Sequence, residues 1–68
     1  SCCVSTHAML SALVRRVTVD GVLPPERDFE ALRALGLSRE EVVAAFARHH
    51  DPLALQARAL VDRVWLAG

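Results

Sequence analysis

Sixty-eight residues, 53% of them apolar and 24% charged, are enough for one folded domain and too few for two. Eight Arg balance eight Asp and Glu, so the net charge is zero and no overall field favours nucleic acid or an anionic membrane surface. Arg, Asp or Glu break every apolar run well before the ~18 residues that a membrane span requires, which excludes a spanning role from the reading.

The chain opens with Ser1 to Ser5, read as a flexible N-terminus, and residues 6–68 are read as a single helical domain. Asp20-Gly21, Pro24-Pro25, Gly36 and Asp51-Pro52 divide that domain into four helix-length pieces. The expected fold is therefore all-α, a compact bundle of four short helices at about 6–19, 25–35, 39–50 and 52–66.

The first helix takes Ser5 or Thr6 as its cap and places Leu10, Leu13, Val14 and Val17 on one stripe. Val17, Thr18 and Val19 favour extended backbone, so a short strand before Gly21 is a competing reading of its end. Leu23 follows in a loop.

The second helix begins near Pro25, where a missing N–H costs nothing, and carries Glu26 and Asp28 in its first turn, where the helix dipole favours them. Phe29, Leu32 and Leu35 are its expected core face. Gly36 suits the left-handed position that ends a helix, with Leu37 folding back on Leu32.

Leu37-Ser38-Arg39-Glu40-Glu41-Val42 is the strongest local signal. Ser38 and Glu41 have the spacing of a reciprocal capping box, and Leu37 and Val42 that of a hydrophobic staple. Val42, Val43, Ala45 and Phe46 form the apolar side of the third helix, and His49 and His50 are expected in its last turn. Asp51 caps the fourth helix and Pro52 starts it. Leu53, Ala57, Leu60, Val61 and Val64 make its buried stripe, which leaves Leu55, Trp65 and Leu66 off it.

A domain of this size gains little net stability from its own core, so added support from disulfides, metal or association is expected. Adjacent Cys2 and Cys3 bridge each other only with strain, which leaves association as the main source. The surplus apolar surface around Leu55, Trp65 and Leu66, with Trp65 as the anchor, is the expected contact for a second copy or another protein. On this reading the chain is a non-catalytic protein-interaction or regulatory module, located in the cytoplasm with reduced thiols, and needs no cofactor.

Two other constellations carry chemistry. Cys2, Cys3 and His7 offer three ligands for Zn or Cu within six residues, with His49, His50 or Asp51 as a fourth. His49-His50-Asp51 sets a carboxylate beside imidazoles, but successive helical residues point about 100° apart and Asp51 is wanted as a cap, so a structural reading is preferred to a catalytic one.

The stretch Gly21-Val22-Leu23-Pro24-Pro25-Glu26-Arg27-Asp28-Phe29, followed by Leu35-Gly36-Leu37-Ser38-Arg39, resembles the winged helix-turn-helix of the GntR family of bacterial regulators. That resemblance implies DNA binding, with Arg27 and Arg39 on phosphates. Two extra residues separate the paired elements, and helix is expected where the wing would stand. Leu32-Arg33-Ala34-Leu35-Gly36-Leu37 with the capped helix after it is similar to ubiquitin-associated-like three-helix modules, a likeness that implies partner binding.

Overall fold

The computed structural model describes residues 5–67, and its fold follows from how each helix is started and stopped. Helix α1 spans Thr6–Thr18, α2 Glu26–Ala34, α3 Arg39–Ala45 and α4 Pro52–Leu66. No strand occurs among the described residues, and the chain is a small all-α bundle.

Three of the four starts are made by side chains that meet otherwise unpaired backbone N–H groups. Ser5 Oγ accepts from Ala8 N at 3.1 Å, and Asp51 Oδ2 accepts from Ala54 N at 3.3 Å. At α3, Ser38 Oγ accepts from Glu41 N at 3.1 Å while Glu41 Oε1 accepts from Ser38 N at 3.0 Å, completing the capping box. Helix α2 has no side-chain cap and begins behind Pro25, with Glu26 and Asp28 at its positive end.

The stops at α1 and α2 are glycine turns. Gly36 takes φ +96°, its N–H donates to Arg33 O at 3.0 Å, and Leu37 N–H donates to Leu32 O at 3.3 Å, the paired bonds of a Schellman motif. Helix α1 continues as helix through Thr18, whose Oγ1 donates to Val14 O at 2.9 Å, so the local extended preference yields to the helix. Gly21, at φ +68°, then turns the chain.

Helix α3 ends at Ala45, five residues before the expected boundary at 50. Phe46, Ala47 and His49 donate to the carbonyls of Val43, Ala44 and Phe46 at 3.0 to 3.1 Å, so the chain tightens into successive turns. Asp51 must be extended ahead of Pro52, at ψ 157°, which blocks an unbroken run into α4. His49 and His50 therefore lie beyond α3, not in its last turn.

Leu10, Leu13 and Val17 of α1, Phe29 and Leu32 of α2, Leu37 at the turn, Val42 and Phe46 of the α3 segment, and Ala54, Ala57, Val61 and Val64 of α4 form one buried cluster. Helix α4 packs against all three other helices. Ala54 and Ala57 are fully buried there, small enough to bring its backbone close to its neighbours. The sequence reading placed Ala57, Val61 and Val64 on this stripe, as found, together with Leu53 and Leu60, which are only partly buried, and did not include Ala54.

Leu35 departs from expectation, with 47% of its surface exposed. A strict three-residue row drifts by about 60° per step around a 3.6-residue helix, so Leu35 rotates off the face set by Phe29 and Leu32. Leu37 supplies the next core side chain from across the glycine turn.

Candidate interaction surface

The reading of Trp65, Leu55 and Leu66 as leftover apolar surface, with Leu23 in a loop, divides in the structure. Leu23 packs against the core from the α1–α2 loop, beside fully buried Pro24. Trp65 is half-buried, packs on the same core and donates from Nε1 to Leu37 O at 3.0 Å. Its indole thus ties the end of α4 to the turn between α2 and α3 and is not wholly exposed surface. Arg33 makes a second tie there, donating from a guanidinium nitrogen to Val64 O at 3.0 Å.

Leu55 and Leu66 remain outside, 50% and 65% exposed. They share a stripe of α4 with exposed Ala59 and half-buried Asp62, at steps of four, three and four residues. Asp62 interrupts this stripe, and its Oδ1 accepts from Arg39 Nε at 2.8 Å. The carboxylate is therefore paired within the chain, and the outer face of α4 offers two exposed leucines, with Arg58 the remaining charge between them.

The basic pair expected from the GntR-like stretch is split by its environment. Arg39 is held by Asp62, whereas Arg27 on α2 is exposed and has no ion-pair partner among the described residues. Arg16 bonds Asp28 at 2.9 Å across α1 and α2, and Arg63 approaches Glu26 at 3.4 Å. Pairs this exposed contribute little to stability.

Cys2 and Cys3 lie outside the described residues. His7, the third expected ligand, lines a cleft between α1 and α3 with Glu41 and His49. Among the described residues, no three His, Cys, Asp or Glu side chains gather closely enough to hold a metal ion. The Glu41 carboxyl is held below its ordinary value of 4.5, chiefly by the Ser38 backbone N–H, then by the Ser38 side chain, with a smaller pull from the His7 charge. This shift belongs to the helix cap.

The sequence reading missed the α1–α3 cleft. His7, Ser11, Val14, Arg15 and Thr18 follow helical spacing along α1, which marked a face, but nothing local told which helix would sit opposite. A second groove, of about 270 Å³, runs between α1 and α2 past Met9, Ala12, Ala31 and Leu32, with the Arg16–Asp28 pair on its lining.

No helix among the described residues is long and apolar enough to cross a membrane. No family model, curated protein or solved structure matches the chain.

Proposed function

We propose that this chain is a non-catalytic protein–protein interaction module that self-associates, each copy presenting the outer face of α4 to the other. One observation carries the reading: Leu55 and Leu66 stay exposed on a single stripe of α4, on which Asp62 is paired with Arg39 and Arg58 is the remaining charge. A small domain gains most from covering such a face, and a two-fold contact uses the same patch on both copies.

The duplex-binding alternative has less behind it. The net charge is zero, and of the two arginines that the resemblance implicates, Arg39 is engaged by a carboxylate.

Paired substitution tests the proposal. Leu55→Glu with Leu66→Glu should convert an associating protein into a monomer while its helical circular dichroism is unchanged, because neither side chain contributes to the buried cluster. Leu35→Glu, at an exposed leucine off α4, should leave association intact. Equal association of all three proteins would remove the α4 face from consideration.

A further inference from the structure

The cleft between α1 and α3, of about 590 Å³, is lined by one arginine, Arg15, whose guanidinium pairs with no other group among the described residues. That volume falls within the ~300–1,000 Å³ typical of small-molecule sites. Leu10 and Val14 of α1 and Ala44 and Ala45 of α3 make an apolar floor. Along the rim stand His7, Ser11 and Arg15 from α1, with Glu41 and His49 opposite. Glu41 is the only carboxylate in this lining, and it already accepts from the backbone N–H of Ser38.

Arg15 differs from Arg16, Arg33, Arg39 and Arg63, each of which reaches a carboxylate or a carbonyl. Its guanidinium has no such partner among the described residues and borders the cleft. Arg27, Arg48 and Arg58 are likewise without one but are not part of this lining. Arg15 is the fixed positive charge of this lining and Glu41 the fixed negative one; Glu41 is held at Ser38, whereas Arg15 and the two imidazoles keep free N–H donors among the described residues.

We infer that the α1–α3 cleft binds a small amphipathic carboxylate, its apolar tail on Leu10, Val14, Ala44 and Ala45 and its head group at Arg15 and His49. Charge complementarity selects an anion, since Arg15 pairs with a carboxylate through a charge-assisted bond. The floor selects a tail, because a bare inorganic anion would leave the accessible parts of Val14, Ala44 and Ala45 wet. Leu55 and Leu66 do not line the cleft, so this inference stands apart from self-association.

The probe is octanoate, titrated into isotope-labelled protein and followed by backbone amide shifts. Saturable shifts confined to α1 and α3 are expected. Arg15→Ala should weaken binding about tenfold or more, the usual scale for losing a hydrogen bond to a charged group. Arg27→Ala removes the same charge elsewhere and should leave affinity within about twofold, as a remote surface charge is screened by salt. Ala44→Glu, at an exposed position of the apolar floor, should abolish saturation, and 1-octanol, with the tail but no charge, should bind far more weakly than octanoate. Shifts that fail to saturate, shifts spread over the whole surface, equal effects of Arg15→Ala and Arg27→Ala, or equal binding of octanol and octanoate would each overturn the inference.

Discussion

Single residues set where each helix starts and stops, and two of them give direct tests. At φ +96° Gly36 occupies backbone space that an L side chain enters only at a cost, although a Cβ there would meet no atom within 4 Å. Gly36→Ala is therefore expected to destabilise the fold by about 1 kcal/mol through conformation alone, seen as a lower urea midpoint at unchanged slope. An unchanged midpoint would mean that the turn accommodates alanine without strain.

Glu41 gives a pH test at the same scale. Its folded carboxyl titrates below the ordinary 4.5, so its contribution is complete above that value and is lost as pH falls through the lower folded value. Glu41→Gln keeps an oxygen able to accept from Ser38 N–H but removes the proton uptake. The variant should lose stability less steeply than the parent below pH 4.5, and parallel acid limbs in urea unfolding would contradict the assignment.

At the scale of elements, what was legible in the sequence and what was not follow a physical division. Signals contained within a few residues are readable: the Ser38–Glu41 box, the Asp51-Pro52 start and the Gly36 stop all stand where their spacing placed them. The early end of α3 was less so, because it depends on how the chain must turn before Asp51 and Pro52, not on the apolar pattern of Val42 to Phe46. The packing of Trp65 was hidden for a related reason. Helical periodicity placed it off the α4 stripe, but its long indole reaches back to a carbonyl 28 residues away in sequence. The α1–α3 cleft was invisible because it exists only once two helices are set side by side.

The Trp65 tie is itself testable. Trp65→Phe retains an aromatic ring against the core and deletes the donor to Leu37 O, so it should cost about 1 kcal/mol, the net worth of one such bond. Amide exchange should speed up at the α2–α3 turn more than in α1 if α4 braces that turn. A uniform change across all helices would instead point to a general loss of packing.

At the scale of the whole molecule, α4 has two different faces. Its inner face, with Ala54, Ala57, Val61 and Val64, closes the core against the other three helices. Its outer face keeps Leu55 and Leu66 in water, across an ion pair that silences Asp62. Both faces need the same helix register, so a contact built on the outer leucines inherits the rigidity of the core behind them. That coupling is why α4, and not the more exposed Val19 in the α1–α2 connection, is the proposed contact.

Sedimentation equilibrium of the unaltered chain, from micromolar to millimolar concentration, bears on self-association most directly. The apparent mass should climb from 7.4 kDa toward twice that value as concentration rises, as mass action requires of a reversible two-fold contact. A mass fixed at 7.4 kDa across the whole range would contradict it.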